Sequence, residues 1–181
     1  MEISDETLVK NIAEGDTECF AVIVERYKIQ IYNLMYRYSG SADEADDMTQ
    51  EAFCRVYEKL DGYRSKASFF SWLYTVALNY ARDWHKKTQR EYAKINRFAV
   101  DQQFSSSATE LNYESKEKTQ LLIEALGRVS EDNREIIILK YRHDCSIKEL
   151  AEIFKLSESA VKMRIQRTLK ELHQILKKRS R

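Results

Sequence analysis

Apolar residues recur at steps of three and four along most of this chain, the spacing that gathers them on one side of a helix. The first such stretch runs from Ser4 to Gly15 and carries Leu8, Val9 and Ile12. A second begins after Asp16, with Phe20, Ile23, Val24, Tyr27, Ile31, Leu34, Met35 and Tyr38 in one stripe, and Gly40 suits a left-handed stop. Ser41 and Glu44 have the spacing of a capping box. They predict a third helix that buries Ala45, Met48, Ala52, Phe53, Val56 and Leu60 and stops near Gly62. After the loop Tyr63-Arg64-Ser65-Lys66-Ala67, Ser68 can cap a fourth helix with Phe69, Trp72, Leu73, Val76 and Ala77 inward; this stripe fades after Trp84.

Residues 100–112, VDQQFSSSATELN, show no sustained period. Beyond them Leu121, Leu122, Ala125 and Leu126 form a stripe ending at Gly127, and Ser130 can cap a helix that buries Ile136, Ile137 and Leu139. Ser146 and Glu149 form another capping box, opening a short helix through Phe154. The last helix places Val161, Ile165, Leu169, Leu172 and Leu176 inward. No segment has strand periodicity. The expected fold is all-α: two small helical domains, residues 1–95 and 113–181, joined by a flexible linker at 96–112, the second domain containing a helix-turn-helix.

Composition narrows the class. The 181 residues include no proline and four glycines, which favours uninterrupted helices and excludes collagen-like, polyproline and repeat-turn β architectures. Apolar residues are 43% and charged residues 33%, enough for a packed core and against wholesale disorder. No apolar run reaches the roughly 18 residues of a spanning helix, so no direct membrane insertion is expected. The acidic start MEISDETLVK does not read as a signal peptide. Cys19, Cys54 and Cys145 are scattered and odd in number, which points to reduced thiols in the cytoplasm.

The net charge of +1 conceals a partition. Residues 1–61 hold 6 basic and 14 acidic side chains, 62–100 hold 8 and 2, 101–133 hold 3 and 7, and 134–181 hold 13 and 6. Two basic blocks imply two places that meet phosphate; solvated helix surfaces are the plainer reading of any one block.

The run SIKELAEIF-KLSESAVKMRIQRTL has the layout of a helix-turn-helix. Ile147, Leu150, Ala151 and Ile153 face in, Leu156 fills the turn, and Val161 and Ile165 close the core. Outward at the front of the last helix lie Glu158, Ser159, Lys162, Met163, Gln166 and Arg167, placed to reach base edges in a major groove. Lys155, Arg164, Lys170 and Lys177-Lys178-Arg179 suit phosphates. The alternative is a plain helical hairpin with solvated lysines. Lys155 occupies the turn position where a left-handed backbone costs a non-glycine residue about 1 kcal/mol.

Helix four mixes aromatics with cations. Tyr74, Thr75, Leu78, Asn79, Arg82, Asp83 and Lys86 lie opposite its stripe, and Tyr63, Arg64, Lys66, Phe69 and Phe70 precede or open it. Such a surface suits unpaired bases, including one flipped from the stack. Phe69, Trp72 and Trp84 are expected in the core. Helix three is acidic outside, with Asp46, Asp47, Gln50, Glu51 and Glu58; it repels DNA and faces either solvent or a basic protein. His85, His143 and His173 sit in no catalytic or metal pattern, and His143 with Cys145 makes a poor zinc site. Neither an enzyme activity nor a cofactor is expected. A dimeric helix-turn-helix regulator is the competing reading, and solution size separates it from a monomer.

The runs FAVIVERYKIQIYNLMYRYSGSADEADDMTQEAFCRVYEKLDGY and SFFSWLYTVALNYARDWHKK, followed by the helix-turn-helix, resemble sigma subunits of bacterial RNA polymerase, in the extracytoplasmic-function (ECF) subfamily. The resemblance covers nearly the whole chain and implies a non-enzymatic, cytoplasmic factor with sigma-2 and sigma-4 domains that docks on core polymerase and selects promoters. It implies that Asp46, Asp47, Gln50, Glu51, Phe53 and Tyr57 meet the β′ clamp coiled coil. It implies that Tyr63, Arg64, Lys66, Phe70, Tyr74, Asn79, Arg82 and Lys86 meet the −10 element. Lys155, Ser159, Lys162, Met163, Arg164, Gln166 and Arg167 then read or grip the −35 element. The linker would thread the RNA exit channel, sigma-4 would also dock on the β flap, and an anti-sigma factor is an implied partner. Val129-Ser130 stands where the family has Leu-Pro, Lys155 where it has glycine, and Ala160 where threonine is frequent.

Overall fold

The computed structural model describes residues 3–64, 68–95 and 113–179, with the backbone alone at 92–95, 113–118 and 179. The linker expected at 96–112 and Lys66 lie outside the described residues. Those that are described form eight α-helices and one 3-10 turn with no strand, the all-α class expected. The chain divides into two compact units, Met1–Asp101 and Gln102–Arg181.

The first unit holds α1 (Asp5–Ala13), α2 (Glu18–Ser39), α3 (Ala42–Glu58), a 3-10 turn (Leu60–Gly62) and α4 (Phe69–Ile95). α2 lies at its centre and packs against the other three helices. Ile23, Ile31, Leu34 and Met35 are buried there against Leu8 and Ile12 of α1, Met48, Ala52 and Val56 of α3, and Leu73 and Ala77 of α4. α1 is tied down at its start. Asp5 accepts hydrogen bonds from the Arg26 guanidinium and the Tyr27 hydroxyl, and Arg26 also donates to the Ile3 carbonyl at 2.8 Å. Gly40 ends α2 at φ 72°, as its position predicts. The Ser41 hydroxyl accepts from the Glu44 amide at 3.5 Å, one half of the expected box. The Ser68 hydroxyl accepts from the Ser71 amide at 3.3 Å and caps α4.

α4 corrects the sequence reading. It continues to Ile95, well past the point where its stripe fades, and its buried side is wider than one stripe because both α2 and α3 pack on it. Tyr74 and Leu78, expected outside, are fully buried, while Trp72 and Trp84, expected inside, are half-buried.

The second unit holds α5 (Tyr113–Arg128), α6 (Glu131–Arg142), α7 (Ile147–Phe154) and α8 (Glu158–Arg179), with α8 packed against the other three. Ile136, Leu139, Leu150, Ile153 and Val161 form its core. The capping box of α7 is complete: Ser146 N donates to Glu149 Oε2 at 2.8 Å and Glu149 N to Ser146 Oγ at 3.2 Å. Ser130 makes no side-chain cap bond, and α5 runs through Gly127 to Arg128. On α8 the buried residue is Thr168, with its hydroxyl on the Arg164 carbonyl at 2.9 Å, while Leu169 is 40% exposed. The 161, 165, 168, 172 spacing follows the helix better than the expected 161, 165, 169, 172, so Thr168 takes the inward place. Arg134 and Glu135 of α6 are both buried, with Nε 3.8 Å from Oε1.

Lys155 ends α7 at φ 53° and ψ 46°, the left-handed conformation expected of it. Lys155→Gly is expected to stabilise the second unit by about 0.5–1 kcal/mol, the relieved strain less the entropy glycine gains when unfolded. A raised urea midpoint for α7 and α8 would register the gain; an unchanged or lower one would contradict it.

Candidate functional site

Asp46, Asp47, Gln50 and Glu51 lie exposed on α3, opposite Met48 and Ala52, which are buried. Tyr57, one turn and a half further on, is 43% exposed and stands edge-on to Phe20 with ring centroids 4.9 Å apart. Phe53 is buried, as the apolar stripe of α3 predicts, although the resemblance to sigma factors places it in the polymerase contact. It is 6% exposed and packs against Phe20, so it supports the acidic surface from beneath instead of presenting itself. Glu51 accepts from Arg55 Nε at 2.7 Å, and the Arg55 guanidinium lies 4.3 Å from the centre of the Tyr80 ring of α4. Burial first, then the Glu51 carboxylate, push the Tyr80 hydroxyl above its ordinary range; Asp47 adds to this and Arg55 opposes it. Arg55 and Tyr80 escaped the sequence reading because a cation and a ring on different helices leave no periodic signal.

On α4, Asn79 and Lys86 are exposed and Arg82 is half-buried; spaced by three and four, they share one side of the helix. The rings expected beside them sit deeper. Tyr63 is 8% exposed and edge-on to Phe69 at 5.3 Å. Tyr74 is fully buried, its hydroxyl accepting from Arg37 Nη2 at 3.0 Å. Phe70 is half-buried between Tyr27 at 5.7 Å and Tyr74 at 5.5 Å. Thus Tyr63 and Tyr74 are corrected from outward residues to core, because the turn at Leu60–Gly62 folds the chain back onto α4 and α2 covers that helix from the other side. Arg64 is exposed, with Nη1 on the Asp61 carbonyl at 2.6 Å.

In the second unit, Ser159, Lys162, Met163, Gln166 and Arg167 are exposed together on α8, opposite Val161, Ile165 and Thr168. Their positions repeat the three-and-four spacing, so one helix side offers two cations, an amide and a thioether to a groove. Lys155 is exposed at the turn. Arg164 is turned partly inward, with Nη1 3.7 Å from Asp132 Oδ2 of α6, so its charge is shared with the fold. The Ser157 hydroxyl accepts from the Ala160 amide at 3.2 Å and caps the front of α8. Burial pushes the Cys145 thiol up to about 12, which leaves it protonated and inert. Among the described residues no three side chains of metal-binding type gather, and no helix is long and apolar enough to cross a membrane.

Comparison with known proteins identifies the family. The Sigma-70 region 2 family matches residues 23–91, and the Sigma-70 region 4 family matches residues 119–172. The ECF RNA polymerase sigma factor SigW of Bacillus subtilis is 31% identical, across 98% of this chain and 99% of its own length. The ECF RNA polymerase sigma-E factor of Escherichia coli is 30% identical over 91% of this chain and 90% of its own. The same fold occurs in the sigma factor RpoE of Bartonella quintana, solved in complex with the anti-sigma factor NepR: TM-score 0.71 and 23% identity over 87% of this chain and 96% of that one. CnrH, in complex with the cytosolic domain of CnrY, shares the fold with TM-score 0.68 over 96% of this chain and 97% of that one. The acidic α3 surface, the cationic side of α4 and the helix-turn-helix therefore lie within a chain that belongs to the ECF family of RNA polymerase sigma factors and acts as an alternative sigma factor in promoter recognition.

Proposed function

We propose that this sigma factor works as a clamp with two points of hold on the promoter and one on the polymerase. α8 enters the major groove of closed duplex at the −35 element, where Ser159, Lys162, Met163, Gln166 and Arg167 reach base edges and Lys155 takes a phosphate. Asn79, Arg82 and Lys86 hold the melted −10 strand, with Arg64, Lys66 and Phe70 at the loop that receives a flipped base. Asp46, Asp47, Gln50 and Glu51 seat the chain on the β′ clamp coiled coil, with Tyr57 at the edge, and the second unit also docks on the β flap. Unpairing costs about 1.4 kcal/mol per stacked step, and each stacked base returns roughly 1–3 kcal/mol. The chain carries no chemistry of its own in this scheme; polymerase catalyses.

The observation that carries the reading is the sorting of charge onto separate helix surfaces: carboxylates on α3, cations on the outer sides of α4 and α8. A surface like that of α3 opposes DNA until a basic protein covers it. By likeness to RpoE with NepR, an anti-sigma factor is the regulatory partner, and membership of the sigma family makes the bacterial cytoplasm, where transcription occurs, the site of action. Transcription with core polymerase from the promoter upstream of the chain's own reading frame tests the scheme: a specific start appears only when the chain is added. Asn79→Ala is expected to cut open-complex formation by about tenfold or more, the loss of roughly 1–3 kcal/mol of base contact. Its affinity for core polymerase stays unchanged. Absence of any specific start would overturn the scheme.

A further inference from the structure

Between α3 and α4 of the first unit runs an open groove of about 520 Å³. Glu44, Asp47, Met48, Glu51 and Arg55 line it from α3, and Tyr80, Asp83, Trp84 and Lys87 from α4. Four carboxylates thus face two cations. Only Arg55 is held within the groove; Lys87 is largely exposed at its edge. Arg55 pairs with Glu51 and lies over Tyr80, while Lys87 reaches Glu91 of its own helix at 4.0 Å.

One end of the groove shows what it accepts: a guanidinium between a carboxylate and an aromatic face. The same two elements recur a helical turn away, as Trp84 follows Tyr80 by four residues and Asp47 precedes Glu51 by four. There the chain supplies no arginine of its own, because the position four before Arg55 is Glu51. Trp84 is half-buried and keeps part of its ring open, and Asp83 is exposed beside it. An indole face with carboxylates on two sides is a strong cation acceptor. Phosphate is repelled by the same carboxylates, which argues against nucleic acid as occupant.

We infer that this groove is the second half of the polymerase-docking surface: it takes an arginine or lysine side chain of core polymerase, with Trp84 as the stacking face and Asp47 and Asp83 as the flanking carboxylates. The inference rests on the reading that the acidic side of α3 meets polymerase, since the groove is continuous with that side through Asp47 and Glu51. It adds α4 residues to the contact and places Asp83 at the border of the two surfaces, four residues from Asn79 and three from Lys86, both assigned to DNA, with Trp84 turned to the protein side.

The test is equilibrium titration of the labelled full chain with core polymerase. Trp84→Leu is expected to weaken binding by roughly threefold to thirtyfold, the range of a desolvated cation on an indole. Trp84→Phe should retain most of the affinity. Asp83→Lys should weaken binding by about tenfold or more, through like-charge contact, and Asp83→Asn should lessen the salt dependence. Circular dichroism shows whether Trp84→Leu keeps its helices; should it not, Asp83→Lys and Asp83→Asn decide. Wild-type affinity in the Asp83 variants, while Asp47→Asn with Glu51→Gln binds poorly, overturns the groove and leaves the α3 reading standing. Wild-type affinity in all of them overturns both. Loss in the Asp83 variants without loss in a folded Trp84→Leu also overturns the proposal as stated, since no cation would then lie on the ring.

Discussion

Asp47→Asn combined with Glu51→Gln is expected to weaken binding to core polymerase by about 2–5 kcal/mol, at least about thirtyfold, because it leaves the basic partner groups buried without counter-charge. The chain itself should fold normally. Glu51 and its partner Arg55 are both substantially exposed, with 47% and 40% of their side chains accessible, and an exposed i,i+4 pair contributes only about 0.3–0.5 kcal/mol. The substitution also releases Arg55 from Glu51, adding an unmatched cation to a surface meant for a basic partner, so the two effects act in the same direction. Equilibrium titration at fixed salt measures the loss, and unfolding by urea checks that stability holds. Unchanged affinity would remove the α3 surface from the polymerase contact.

Leu150→Ala should have the largest effect on the fold, and only on one unit. Leu150 is fully buried where α7 meets α8. Truncating such a leucine costs roughly 2–5 kcal/mol in lost burial and cavity, a large part of what a four-helix unit of this size has in hand. Amide exchange in α6 to α8 should rise steeply, and binding to duplex carrying the −35 element should be lost. α2 to α4 should keep their protection, because Ile23, Leu34, Met35 and Leu73 form a separate core. Equal loss of protection in both units would contradict this independence.

Local signals were the legible part. The Ser146–Glu149 box, the left-handed Gly40 and the left-handed Lys155 all follow from a few neighbouring residues, and all stand in the fold where their chemistry puts them. The acidic outer side of α3 and the row from Ser159 to Arg167 on α8 were legible for a similar reason, since each lies opposite well-marked apolar positions, Met48 and Ala52 on α3 and Val161 and Ile165 on α8. Depth was harder to read. Tyr63 and Tyr74 carry the polar or aromatic character of contact residues, yet both are core. Thr168 is buried beside an exposed Leu169, because its hydroxyl is satisfied by the Arg164 carbonyl and helical geometry outweighs the hydropathy of one position.

The chain alone determined which segments are helices, several of their caps, and which sides carry charge, for these depend on interactions within a turn or two of backbone. Only the tertiary structure decided how wide each buried side is, which cations are already paired, and which side chains of different helices line a common groove. α4 is covered on two sides by α2 and α3, Arg164 is drawn toward Asp132, and Arg55 lies over Tyr80. Each of these follows from the number and position of neighbouring helices, and a periodicity read along one helix holds no record of what packs against it.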